Sequence, residues 1–397
     1  MKLTKRLGAL ALAMALAALG GCGGKTANEP AGGSSSLPNG PSSSAGDSAA
    51  PMDLSQVSDP YLAVSGLAGD EVVMKIGDGE ITASEYLYWL YYCTNRYLSQ
   101  FGGQMTSLPW DSEITEGLTF GQYMQDQAKE LAALHCMVRG MAQREGLTPD
   151  PSIATEIDKQ FADMIIQADS NEERVVHTYW ASMLTKDLLT QLNENSNLYS
   201  QLRDLYYGED SGHFPTDAEV QAYLDEAGRY RAKHILLATI DLDTREPLDE
   251  AAIAQKKSTA DGLLAQLRAA EDPIALFDEL MHQYSEDSGL AANPNGYTTS
   301  KGKMVAPFEE AALALQNGEI SDIVESDLGY HIILRLPMDP DDYRDETASY
   351  FLEKRLEEEQ DSLGVEAAAA LDKLDVGSFW DNVLSLQAAV YAESQAS

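Results

Sequence analysis

The stretch ISDIVESDLGYHIILRL, residues 320–336, carries the clearest fold signal in the chain. Two apolar runs flank Ser326-Asp327-Leu328-Gly329, and a tetrad that opens on Ser-Asp and ends in glycine between such runs predicts a turn joining two strands. Working outward, RAKHILLATI at 231–240 has the same strand-like composition. Between the two, residues 250–270 place Ile253, Leu263, Leu264 and Leu267 at helical spacing, 274–284 predict a second helix and 308–315 a third. The order β-α-α-β-α-β-β predicts a small α+β domain over 229–338, built on an antiparallel-rich four-stranded sheet with helices.

The flanks read differently. Residues 71–225 are mostly helical, opened by VVMKIGDGEI at 72–81, a short hairpin around a glycine-containing turn. Four helix starts carry the capping-box pattern of Ser or Thr followed three residues later by Glu or Gln: Thr82 with Glu85, Thr119 with Gln122, Ser170 with Glu173 and Thr216 with Glu219. The helix after Thr82, EYLYWLYYCTNRYLSQF, is apolar around most of its circumference, which suits deep burial or a binding surface. Residues 339–397 predict one strong helix, from Tyr343, and a weaker amphipathic stretch through Phe379 and Trp380. They are too few to bury a core of their own and are expected to dock on 71–225.

At the N-terminus, Lys2, Lys5 and Arg6 precede an apolar run from Leu7 to Leu19, too short to span a bilayer and of signal-peptide length. Leu19-Gly20-Gly21-Cys22 has the pattern that lipoprotein signal peptidase cleaves, which predicts removal of 1–21 and acylation of Cys22. Residues 22–70, rich in Ser, Gly, Ala and Pro, are expected to form a flexible tether. With 27 basic and 64 acidic residues the chain has a formal charge of −37, which disfavours nucleic acid and anionic lipid surfaces. Cys93 and Cys136 are too few for a disulfide framework; an oxidising compartment would let them pair, and burial would keep them as thiols. No zinc-ligand spacing occurs, so neither a metal nor another cofactor is expected. The acids in DPDDYRDE at 339–346 suit the start of a helix better than a calcium site.

The α+β region also carries an ordered series of motifs: Lys233-His234-Ile235-Leu236 on the first strand, then Phe277 to Leu280, then Tyr284-Ser285-Glu286-Asp287. Gly302, Met304, Phe308-Glu309, Ala311-Ala312, Gly318-Glu319-Ile320-Ser321 and Gly329-Tyr330-His331-Ile332-Ile333 follow. In these residues the region resembles the parvulin family of peptidyl-prolyl isomerases. The resemblance implies a polar centre of His234, Asp287 and His331 with Ser326 beside it, and a proline pocket of Met304 and Phe308. Where the family shows an apolar and an aromatic pocket residue, residues 293–299 read NPNGYTT, and Tyr297 fills part of that gap. The loop ATIDLDTREPLDEA lacks the basic cluster that phosphate-directed parvulins use. His135, His177, His213 and His282 match no motif.

The organisation, helices before the isomerase domain and a helical tail after it, resembles extracytoplasmic foldase lipoproteins. That likeness implies a foldase held on the outer face of the cell membrane through Cys22. Its partners would be unfolded or newly exported proteins with X-Pro bonds. The altered 293–299 segment leaves open a holdase whose isomerase domain is weakly active or inactive. A solute-binding lipoprotein would need far more strands than 82–225 offers.

Overall fold

The computed structural model describes residues 51–99 and 108–395. The expected signal peptide, Cys22 and most of the expected tether lie outside the described residues. The chain divides into two compact units: one holds residues up to His213 together with Ser349 onwards, the other Phe214–Ala348.

The first unit begins earlier than the sequence predicts. Residues 60–67 were expected in the tether, but α1 (Pro60–Ser65) is a capped helix whose Tyr61 and Val64 are buried in the core. Its start has a local cause: the Asp59 side chain accepts from Tyr61 N–H and Leu62 N–H, and Pro60 occupies the first turn, where a missing N–H costs nothing. The Tyr61 hydroxyl then donates to Met183 O at 3.2 Å.

Strands β1 (Val72–Ile76) and β2 (Gly79–Thr82) form the expected hairpin. Helix α2 (Ala83–Ser99) buries Tyr86, Leu87, Tyr88, Trp89 and Leu90, so its aromatic surface is core over that stretch. After the short strands β3 (Glu113–Thr115) and β4 (Leu118–Thr119) come α3 (Phe120–Arg144), α4 (Ser152–Gln167), α5 (Glu172–Trp180) and α6 (Lys186–Tyr207).

The capping boxes fare unequally. Those at Thr119 and Thr216 form in both directions. At Thr82 the reciprocal half is missing, because the Glu85 carboxylate is buried and taken by Arg139, at 2.7 and 3.0 Å. At Ser170 the cap moves one residue on: Ser170 has φ 64° and Asn171 Oδ1 accepts from Arg174 N–H instead.

The second unit opens with α7 (Asp217–Glu226), which the sequence reading grouped with the helical region. Tyr223 of α7 and Arg229 both bind Glu346, and Val220 and Leu224 are buried, which ties α7 into this unit. Then follow β5 (Arg229–Ala238), α8 (Glu250–Ala269), α9 (Pro273–Tyr284), β6 (Tyr297–Ser300), α10 (Ala306–Ala314), β7 (Val324–Ser326) and β8 (Gly329–Leu336). The order β-α-α-β-α-β-β is the one expected. The four strands form an antiparallel sheet in the order β6-β5-β8-β7.

Strand alternation gives this sheet two different faces. Ile235 and Leu237 of β5, with Tyr330, Ile332 and Leu334 of β8, pack against Leu263, Leu264 and Leu267 of α8 and Phe277, Leu280 and Met281 of α9. Tyr230, Ala232 and Ile333 on the opposite face pack against Phe308 and Ala312 of α10. His234 and His331 belong to this second face.

The tail starts with α11 (Arg344–Leu363), whose residues from Ser349 belong to the first unit, and continues through β9 (Glu366–Ala367) and α12 (Val376–Gln395). Leu352, Leu356, Phe379, Val383 and Leu386 are buried in the same core as α2 and α3, and β9 adds an edge to β1. Cys93 and Cys136 are free thiols, the latter buried. Among the described residues no helix is long and apolar enough to cross a membrane.

Candidate active site

Register brings the two histidines together. In the β5–β8 ladder His234 faces Ile333 and His331 faces Leu236, so the histidines are diagonal neighbours on one face. Their rings lie 5.4 Å apart and nearly parallel, and Nδ1 of one is 3.1 Å from Nδ1 of the other. Gly329 permits the tight β7–β8 turn beside them: it has φ 140°, and a Cβ there would collide with Leu237 O.

Asp287 arrives from a loop strapped to β5. Ser285 Oγ accepts from Leu236 N–H at 3.1 Å, Glu286 N–H donates to Leu236 O at 2.8 Å, and the Glu286 carboxylate accepts from Ala238 N–H at 2.8 Å. These bonds set Asp287 Oδ2 at 3.1 Å from His234 Nε2. Tyr297 Oη donates to the same oxygen at 2.5 Å, and Gly289 N–H donates to Oδ1 at 3.1 Å. Gly289 also leaves room for the tyrosine, since a Cβ at that position would meet Tyr297 Oη.

At the other end Ser326 Oγ lies 2.7 Å from His331 Nε2 and accepts from Leu328 N–H at 3.1 Å. Ser326 thus lies beside the histidine pair, bonded to His331. Tyr297, expected in the apolar pocket, instead has its hydroxyl on Asp287, with its ring edge-on to His234 at 5.8 Å.

The protonation of this row follows from its ends. Burial pushes the Asp287 carboxyl up, but donors from His234, Tyr297 and Gly289 N–H outweigh it and bring its pKa down to about 2. Burial, with the neighbouring His234, pushes His331 down to about 4. Ionised Asp287 can only accept, so His234 Nε2 carries a hydrogen. In the state with both rings neutral, His234 Nδ1 accepts, His331 Nδ1 donates to it, and His331 Nε2 accepts from the Ser326 hydroxyl. All donors then point towards Asp287. A proton added at His234 Nδ1 reverses the far half of the row: His331 accepts at Nδ1 and donates Nε2–H to Ser326.

The apolar side is Phe308 at the start of α10, edge-on to both imidazoles with ring centres 5.1 and 5.7 Å away. Met304 packs against the same cluster. Glu309, quoted in the motif but not singled out, fixes the lead-in, because its buried carboxylate accepts from Gly302 N–H at 2.7 Å. Ser285, Glu286 and Glu309 act through backbone N–H groups, and spacing in a sequence does not reveal such partners. Among the described residues no group of three or more His, Cys, Asp or Glu side chains is placed to hold a metal ion.

Residues 234–336 match the Rotamase family, the PPIC-type PPIase domain. The peptidyl-prolyl cis-trans isomerase Pin1 of Malus domestica is 40% identical over 84 residues, covering 20% of this chain and 69% of that protein. The chain belongs to the parvulin-type peptidyl-prolyl isomerases. Foldase protein PrsA of Geobacillus kaustophilus (strain HTA426) is 37% identical over 120 residues, 30% of this chain and 35% of that one. Its counterpart in Bacillus subtilis (strain 168) is 32% identical over 145 residues, 36% of this chain and 42% of that one. The matched segments thus span well under half of these two foldases. The family assignment rests on the domain that contains the histidine row.

The neutral burial of His331 gives the parvulin domain a pH signature. An unfolded histidine takes up a proton near pH 6.5, whereas folded His331 resists until about pH 4. The unfolded state therefore binds more protons in this window, and stability falls as pH drops from 6.5 towards 4, by up to about 3 kcal/mol. Urea midpoints of the wild type at pH 7.5 and 4.5 should differ more than those of His331→Gln; equal differences would refute the assignment.

Proposed function

We propose that the chain is a membrane-tethered extracytoplasmic foldase that binds exported, unfolded polypeptides and catalyses cis/trans isomerisation of their X-Pro bonds. The observation that carries the isomerase part is the polar row lying against the Phe308 ring beside Met304. Resonance in the amide gives the uncatalysed rotation a barrier of about 18–20 kcal/mol, and no covalent bond has to be made or broken. A catalyst need only favour the twisted amide, whose nitrogen has lost conjugation.

In this reading Phe308 and Met304 take the pyrrolidine ring and exclude water from it. His234, Asp287 and His331 form a prearranged polar wall along which the carbonyl dipole turns. Ser326 and Tyr297 are positioning residues that hold the two ends of the row. An acceleration of a hundredfold requires about 2.7 kcal/mol of preference for the twisted state, within reach of a few oriented dipoles. The acidic loop at 238–251 gives no reason to expect a preference for phosphorylated Ser/Thr-Pro sites.

The helical unit supplies client binding in this account, and Cys22, after removal of 1–21, supplies the anchor through its acyl chains. The runner-up is a holdase with a silent isomerase domain. It is favoured by the commitment of Tyr297 to Asp287, which leaves the 293–299 wall without a further apolar ring.

A refolding assay limited by proline isomerisation, whose uncatalysed phase lasts tens to hundreds of seconds, separates the two readings. The full chain should accelerate the slow phase, and Met304→Ala should lower that acceleration about tenfold with its circular dichroism unchanged. No acceleration by the wild type would leave the holdase reading. In cells, Cys22→Ala should shift the protein out of the membrane fraction; unchanged membrane association would remove the anchor.

A further inference from the structure

The helical unit contains a cavity of about 390 Å³ between the end of α3, the turn that follows it and α6. Ala142, Leu147 and Leu198 give it apolar surface, and Arg139 and Glu194 are the charged residues of its lining.

The polar groups there are not equally available. Arg139 is committed, since both terminal nitrogens bind the buried Glu85 carboxylate and Gln191 donates to the same carboxylate at 3.2 Å. Asn195 is 1% exposed and donates Nδ2–H to His135 Nδ1 at 2.6 Å, yet its Oδ1 has no hydrogen-bond partner. Burial pushes His135 down to about 3, so its ring is neutral and can accept at Nδ1. Among the described residues Glu194 meets neither a hydrogen-bond donor nor a cation. Asn195 Oδ1 is sealed behind the cavity wall, so the acceptor left over on the lining is the Glu194 carboxylate. With Glu85 balanced by Arg139, the fixed charge there is Glu194's alone.

We propose that this cavity is a subsite for a basic side chain, arginine above all, of an extended polypeptide held by the helical unit. The inference rests on the foldase reading and gives it a recognition element. An arginine stem is apolar and suits Leu147 and Leu198, while its planar fork offers paired donors to the Glu194 carboxylate. A carboxylate or phosphate occupant would face Glu194 and find Arg139 already neutralised. The surplus of acids over the whole chain draws cationic segments in the same direction.

The test uses the full chain and two probes, acetyl-Gly-Ser-Arg-Ser-Gly-amide and the same peptide with citrulline, which keeps the shape and loses the charge. Calorimetric titration should give a weaker complex for citrulline by about tenfold or more, and Glu194→Gln should weaken the arginine peptide similarly. Asp163→Asn, which removes one exposed charge on α4, should leave the affinity unchanged. Hydrogen exchange should show protection by the arginine peptide at 139–149 and 191–198. Equal binding of the two peptides, an unaffected Glu194→Gln variant, or protection elsewhere would overturn the subsite. Suppression of aggregation of an unfolded client by the wild type reports separately on the foldase reading. Client binding without arginine selectivity at Glu194 would sink the subsite alone, and arginine selectivity without client binding would sink the foldase alone.

Discussion

The arrangement of the candidate site depends on one carboxylate being fixed in its ionised form. Asp287 accepts from His234, Tyr297 and a backbone N–H, and these bonds hold its pKa to about 2 against the cost of partial burial. An acceptor with no hydrogen of its own gives direction to everything bonded to it in series. With both rings neutral, the two imidazoles and the Ser326 hydroxyl have one self-consistent order of donors. Tyr297 and Gly289 are then part of the site's electrostatics although neither belongs to the histidine pair.

That carboxylate is held by main-chain bonding rather than by side-chain packing. Ser285 and Glu286 bind β5 at Leu236 and Ala238, two and four residues beyond His234, so the loop and the first histidine share one frame. The second histidine is registered to the same strand through the β5–β8 ladder. Because successive strand residues alternate in direction, the packing of Ile235 and Leu237 against α8 and α9 obliges His234 to face α10. A slip of one residue would bury the histidines among leucines and expose the core. Sheet packing and site geometry are thus one constraint seen from two sides.

Much of this was legible beforehand, for identifiable reasons. Dense apolar strands at 231–240 and 320–336, helical spacing at 250–270 and the spaced motif residues specify the α+β region locally, and the element order follows. The roles expected of His234, Asp287, His331, Met304 and Phe308 came from the resemblance to the parvulin motif. Two contacts made through polar atoms across loops were not visible: Tyr297 on Asp287 and Glu309 on Gly302 N–H. Helix α1 was missed because six residues are too few to show helical periodicity, although Asp59-Pro60 is a helix-start pair. The Thr82 box was misread because burial of Glu85 against Arg139 outbids a local cap. The placement of α7 depends on Glu346, more than a hundred residues away in sequence, and local pattern carries no such information.

The central claim, a row of ring hydrogens directed towards ionised Asp287, is open to direct observation by ¹⁵N magnetic resonance of the imidazole nitrogens in the full chain. At pH 9, with both rings neutral, the account predicts that His331 carries its hydrogen on Nδ1 and His234 on Nε2. As the pH is lowered, His331 should remain singly protonated until about pH 4. A hydrogen on His234 Nδ1 rather than Nε2 at pH 9, or a doubly protonated His331 above pH 6, would contradict it.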